Sequence, residues 1–199
     1  IHPHYANEFK SNTVNYLKQS LNNSNVVAIG ECGLDYYRNY SSKKEQEIAF
    51  RAQLELAIEI KKPLFLHQRN SFKDFINILT PYLNDINAAV AHCFTGTKNE
   101  LLELLDLGLY IGITGWICDE RRGMHLKDIV SLIPDNRLMI ETDAPYLLPR
   151  TIINKTKTRR NEPAYLEEVL KEVASCRNQT RSFLDQKTTD VSKKFFDLN

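Results

Sequence analysis

Long hydrophobic runs are missing from this chain: no apolar stretch approaches the roughly 20 residues that span a bilayer, so no membrane-spanning helix is expected. There is no low-complexity segment, no linker-like composition and no repeat beyond a strand–helix rhythm. Charge of one sign is not in excess. The 26 basic and 25 acidic residues leave a formal net charge of +1, so bulk charge argues neither for nor against a nucleic-acid partner. Cysteine is sparse, and Cys32, Cys93, Cys118 and Cys176 form no CxxC and no paired spacing. The opening residues IHPHYANEFK lack the basic and apolar regions of a secretion signal. The expectation is therefore a cytoplasmic chain with reduced thiols, in which the NYS sequon at Asn39 carries no meaning. The 199 residues, 42% hydrophobic and 26% charged, suffice for one domain with a real core.

Five short apolar runs punctuate the sequence: VVAIGE (26–31), PLFLHQ (63–68), AAVAHCF (88–94), LYIGIT (109–114) and RLMIETD (137–143). They are continuous rather than alternating, as expected of parallel strands covered on both faces. Helical patterns lie between them. Ser42 and Glu45 form a capping box ahead of an apolar stripe that includes Phe50, Leu54, Ala57 and Ile58. Thr97 and Glu100 form a second box, and that helix is expected to stop at Gly108. SFKDFINIL reads as a helix halted near Pro81, and two more helices follow the last strand. Such repetition gives a parallel sheet, either open or closed as a TIM (β/α)₈ barrel.

The polar residues decide between the two. The first three runs end in a potential metal ligand, Glu31, His67 and His92, and the last ends in Asp143. In a barrel the carboxyl ends of all strands converge on one mouth, whereas a flat sheet would spread these groups along a line. Two imidazoles and two carboxylates suit Zn²⁺, Mn²⁺ or another borderline divalent ion better than Mg²⁺. A cation would also explain why an ionised Glu31 ends a buried run, since an unpaired charge there is costly. Taken singly, each residue has a plainer account. A lone strand-end histidine usually belongs to the core, Glu31 could pair with Arg69 or Arg38, and Asp143 could cap the DAPY turn. The joint occurrence favours a metal site.

GECGLD, LHQR, HCFTG, IGITGWICDERRG, IETDAPYLLP and RRNEP together resemble the TatD family of metal-dependent deoxyribonucleases, nearly end to end. The resemblance implies an amidohydrolase-like TIM barrel in which Glu31, His67 and His92 are metal ligands, with Glu31 bridging two ions. Asp143 would be both a ligand and the base that deprotonates water. It implies a divalent-metal cofactor, two ions by the family pattern, with Mg²⁺ in activity and Mn²⁺ or Zn²⁺ as alternatives. It implies 3′→5′ exonucleolytic hydrolysis of phosphodiesters, with single-stranded DNA as substrate and RNA as a further one. Family chains begin some sixty residues earlier with an HxH-type strand. Residues 1–199 are thus expected to form one hydrolase domain lacking roughly the first two to three strands, prone to self-association, with no obligate protein partner.

Substrate contacts are expected from the loops past the strands: Arg121 and Arg122 in DERRG, and Lys155, Lys157, Arg159 and Arg160 further on. Arginine clamps phosphate bidentately, although such runs are usually solvated faces. His2 and His4 would touch a phosphate or support the rim. Tyr36, Tyr37, Trp116 and Tyr146 could stack on unpaired bases or simply pack. Two other functions use the same residues: an amidohydrolase-type C–N or ester hydrolase acting on a small molecule, and a non-catalytic remnant of such a barrel.

Overall fold

The five apolar runs become strands β1 (Ile29–Asp35), β2 (Leu64–Arg69), β3 (Ala89–Ala91), β4 (Tyr110–Ile113) and β5 (Leu138–Ile140). Helices α1 (Thr13–Leu21), α2 (Lys43–Ile60), α3 (Phe72–Leu79), α4 (Lys98–Asp106), α5 (Met124–Ile129), α6 (Leu166–Cys176) and α7 (Arg181–Phe196) complete the order. The computed structural model describes residues 1–152 and 158–198. These group into two units, Ile1–His92 with Phe195–Asp197, and Cys93–Lys194 with Leu198.

In the first unit β1 pairs with β2 and β2 with β3, all parallel. Both halves of the Ser42–Glu45 capping box start α2, which satisfies N–H groups that the first turn leaves unpaired. Phe50, Leu54 and Ala57 are buried as expected, and the Phe50 ring stacks on Phe75 of α3 with centroids 5.4 Å apart. The same face of α2 buries two glutamines. Gln46 accepts the Asp35 N–H at 2.8 Å and donates to the carbonyls of Asp35 and Ser41, so the end of β1 is pinned to the helix.

The strands are shifted from the apolar runs: β5 stops at Ile140, so Asp143 lies past its end, and β3 stops at Ala91, just before His92. The first strand starts at Ile29 rather than Val26 and continues to Asp35. Gly30 lies opposite Phe65 and Cys32 opposite Leu66, leaving Glu31 as an extra residue. This is a β-bulge, which re-aims a side chain while the ladder resumes beyond it. Close approach makes the return possible: a Cβ on Gly33 (φ +140°) would stand 2.0 Å from the His67 carbonyl oxygen. Helix α1 is not expected from the sequence; its Val14, Leu17 and Leu21, at helical spacing, are half-buried and none of its residues is fully buried.

In the second unit β4 and β5 pair in parallel, with Ile111 opposite Leu138 and Ile113 opposite Ile140. The Thr97–Glu100 box opens α4, whose Leu101 and Leu104 are buried. Val169 and Val173 of α6 fill the core. Arg177, at the end of α6, donates to the carbonyls of Val130 and Ile133 at 2.6 and 2.7 Å and pairs with Asp135. None of the four cysteines forms a disulfide, and burial pushes the Cys32 thiol up to about 12, so it stays protonated. Among the described residues, no helix is long and apolar enough to cross a membrane.

Candidate metal centre

The bulge on β1 turns Glu31 toward a group of histidines in the first unit. His67 Nδ1 lies 2.6 Å from Glu31 Oε1, His2 Nε2 lies 3.3 Å from the same oxygen and His92 Nε2 lies 3.7 Å from it. The three imidazoles therefore meet one carboxylate oxygen. His67 is placed by its register opposite Gly33 on β2. His92 follows β3 by one residue and is held by its N–H to the Leu66 carbonyl at 2.9 Å. The arginines weighed as partners of Glu31 go elsewhere: the Arg69 and Arg38 guanidinium groups lie over the Tyr37 ring.

Asp35, the last residue of β1, completes the cluster, and its side chain is 0% exposed. Its Oδ2 lies 2.8 Å from His4 Nε2 and 3.1 Å from His67 Nε2, while its Oδ1 accepts the N–H groups of Tyr37 and Arg38. Burial by itself would raise the Glu31 carboxyl, but hydrogen bonds with His2 and His67 and the neighbouring His92 hold it well below the usual carboxylate range. Asp35 behaves alike: burial is outweighed by His67, the Arg38 N–H and His4. For His67 burial would lower the pKa, yet hydrogen bonds to Asp35 and Glu31 raise it. His4 moves the other way, its burial outweighing Asp35. Both ionised carboxylates are thus stabilised by surrounding imidazoles.

These donors fit a divalent cation. His2, His4 and His67 each present a nitrogen within 4.8 Å of the others, beside two carboxylates kept anionic. Imidazole with carboxylate is the donor mixture that borderline divalent ions take, and the cluster has both in a partly buried setting. Nothing in the sequence singles out Asp35 for a role, and His2 and His4 are expected there to touch a phosphate or support the rim. Both histidines lie in the segment Ile1–Glu8, brought to β1 from far along the chain: the Ser41 hydroxyl donates to the His4 carbonyl at 3.1 Å and accepts the Asn7 N–H at 3.0 Å.

Asp143 lies in the second unit, three residues past β5 and half-buried, with a ligand atom within 4.8 Å of that of Cys93. Its carbonyl accepts the Tyr146 N–H at 2.6 Å. The preceding Glu141 accepts the Cys93 N–H at 2.6 Å. Asn161 of RRNEP is buried and donates to the Tyr146 carbonyl at 2.7 Å, so that motif braces the loop after β5. In the loop after β4, Arg121 binds Asp119 through Nε and Nη2 at 3.1 and 3.0 Å, and Arg122 binds it through Nε at 3.1 Å. Arg122 also lies over Trp116, 4.3 Å from the ring centroid. Arg159 and Arg160 are exposed. Lys155 and Lys157 lie outside the described residues.

The family model described as TatD-related DNase matches residues 1–197. The chain belongs to the TatD-related DNase family. It is 51% identical over 199 residues to the 3′-5′ ssDNA/RNA exonuclease TatD of Rahnella sp. (strain Y9602), covering all of this chain and 76% of that protein. A protein of the same description from Edwardsiella piscicida is 51% identical over 198 residues, again with 100% and 76% covered. Among solved structures, the TatD-family hydrolase of Entamoeba histolytica superposes with a TM-score of 0.85 at 28% identity, covering 98% of this chain and 72% of that one. The TatD homolog YJJV of Escherichia coli K12 gives 0.89 at 24% identity, covering 100% and 75%, a likeness of fold. The fold is therefore the TatD-type α/β barrel expected from the polar strand ends and the family resemblance, and this TatD-family chain carries five of its parallel strands. The chain is a hydrolase of the nuclease class.

Proposed function

We propose that this chain removes nucleotides from the 3′ end of single-stranded DNA, and of RNA as a further substrate, by metal-dependent hydrolysis. The observation that carries the reading is the convergence of His67, His2 and His92 on Glu31. It is supported by the relatives from Rahnella and Edwardsiella, both 3′-5′ ssDNA/RNA exonucleases.

Glu31, His67, His92 and Asp143 would hold the metal, as two divalent ions. Mg²⁺ is proposed for activity, and the imidazoles also admit Mn²⁺ or Zn²⁺. Bound there, the metal supplies Lewis-acid relief of phosphoryl charge and a more acidic water. Glu31 remains an anion throughout, because the surrounding imidazoles stabilise that form. Asp35 holds His67 and His4 in place through Oδ2. Asp143 acts as the general base toward the attacking water. His4, Arg121, Arg122, Arg159 and Arg160 are assigned to the phosphates of the strand.

The test is degradation of a 5′-labelled single strand with Mg²⁺, Mn²⁺ or EDTA. The expected result is a ladder shortening from the 3′ end that EDTA suppresses. An intact strand in both metals, with hydrolysis of small amide or ester substrates instead, would replace this reading by the amidohydrolase alternative. No hydrolysis of either kind would leave a binding protein.

A further inference from the structure

The turn after β1 leaves an aromatic ring in the open, where its surface is not spent on burial in the core. Tyr37 is 56% exposed, yet its surroundings are built. The Arg69 guanidinium lies 3.9 Å from the ring centroid and that of Arg38 lies 5.8 Å away. Strand register sets the first contact: Asp35 is opposite Arg69, and the Tyr36 N–H donates to the Arg69 carbonyl at 2.9 Å. Asp35 Oδ1 fixes the second by accepting the N–H groups of Tyr37 and Arg38 at 3.0 and 2.7 Å. The other oxygen of the same carboxylate holds His4 and His67. One buried side chain thus ties the exposed ring to the histidine cluster.

An open ring flanked by two guanidinium groups offers a π-face for stacking and cations for phosphate. That pairing suits a nucleotide whose base is unstacked, because a duplex hides its base faces. We infer that Tyr37, with Arg69 and Arg38, forms a stacking subsite for an unpaired base of the strand engaged at the Glu31–histidine cluster. The inference rests on the proposed nuclease function and adds where the strand's base is held. The subsite is indifferent to which base it takes, since every base has a π-face. Asp35 is a positioning residue for both the subsite and the cluster.

The test is strand binding in EDTA, where no cleavage occurs, read by anisotropy of a labelled single-stranded DNA. A 2-aminopurine near its 3′ end reports stacking. Tyr37→Leu should weaken binding roughly five- to 150-fold and abolish the quenching of 2-aminopurine, whereas Tyr37→Phe keeps both. Wild-type protein should also lose affinity when the base near the 3′ end is replaced by an abasic unit, and Tyr37→Leu should lose nothing more on that strand. Equal binding of the normal and abasic strands by wild-type protein overturns the subsite, and that measurement needs no variant to fold. So does a Tyr37→Leu loss of the same size on both strands. Metal-dependent cleavage is measured separately: cleavage without base-dependent binding removes the subsite alone. Base-dependent binding without cleavage in Mg²⁺ or Mn²⁺ removes the nuclease reading alone.

Discussion

Replacing Asp35 should damage two things at once, and the structure allows the sizes to be separated. The side chain is 0% exposed, with Oδ1 accepting two backbone N–H groups at 3.0 and 2.7 Å and Oδ2 lying 2.8 and 3.1 Å from two imidazole nitrogens. Hydrogen bonds to a charged group contribute about 1.5–3 kcal/mol each. These share one carboxylate and do not add, so the measure is the cost of breaking a buried charged pair, about 3–5 kcal/mol. For a chain of this size each kcal/mol moves the melting temperature by about 2–4 °C, so Asp35→Ala should melt roughly 6–20 °C lower. Asp35→Asn keeps an oxygen for the Tyr37 and Arg38 N–H groups and loses only the charge facing His67 and His4. It should recover about half of the stability while binding Mn²⁺ roughly 10–100-fold more weakly, as expected when a group that orients metal-binding histidines is lost. Thermal melts followed by circular dichroism and Mn²⁺ titration calorimetry read the two effects. An Asp35→Ala protein that melts with the wild type, or an Asp35→Asn protein with unchanged Mn²⁺ affinity, would refute the reasoning.

Other variants address the rest of the site. Glu31→Gln and His92→Ala should each cut metal-dependent cleavage by more than the roughly 10–100-fold that loss of a supporting partner costs, and full rates with unchanged metal content would remove them as ligands. Asp119 is held well below the usual carboxylate range, first by its hydrogen bond from Arg121. A carboxyl whose folded pKa is depressed adds stability above its unfolded value, about 3.9, and loses it as pH falls through the folded one. Asp119→Asn should therefore lower stability by a constant amount at neutral pH, the gap to wild type closing only below about pH 4; a gap that stays constant into that range contradicts the Arg121 pairing. Replacing Arg159 and Arg160 with alanine should raise KM for single-stranded DNA and flatten its salt dependence, because fewer counterions are released on binding. An unchanged slope would return both to the solvated surface.

Much of the frame was legible because its signals are local. A capping box needs only four consecutive residues, and both boxes, Ser42–Glu45 and Thr97–Glu100, start helices where they stand. A continuous apolar run marks a strand covered on both faces whatever its partners are, so each of the five runs overlaps a strand. Helix α1 gives only a weak signal of this kind: Val14, Leu17 and Leu21 fall at helical spacing in a largely polar segment and are half-buried. The ligand-type residues Glu31, His67 and His92 were also visible, because imidazole and carboxylate at strand ends are chemically conspicuous.

Their arrangement was decided only by tertiary structure. Glu31 reads as the end of a strand, but the ladder resumes after it, and the bulge that turns it toward the histidines is defined only by which residues of β2 stand opposite. Asp35 carries no signal of its role in the sequence, and the same pairing sets it against Arg69, with His4 and His67 at its Oδ2. His2 and His4 come to the cluster from 29 and 31 residues before their carboxylate partners, Glu31 and Asp35. Arg121 and Arg122 read in the sequence as phosphate contacts or a solvated face, and only the structure shows that both are steered by the buried carboxylate of Asp119 while staying exposed. Residue type and short-range spacing fix what a segment can form and which chemistry it carries. Which groups share a proton depends on strand register and on contacts between distant segments, and neither is set by local periodicity.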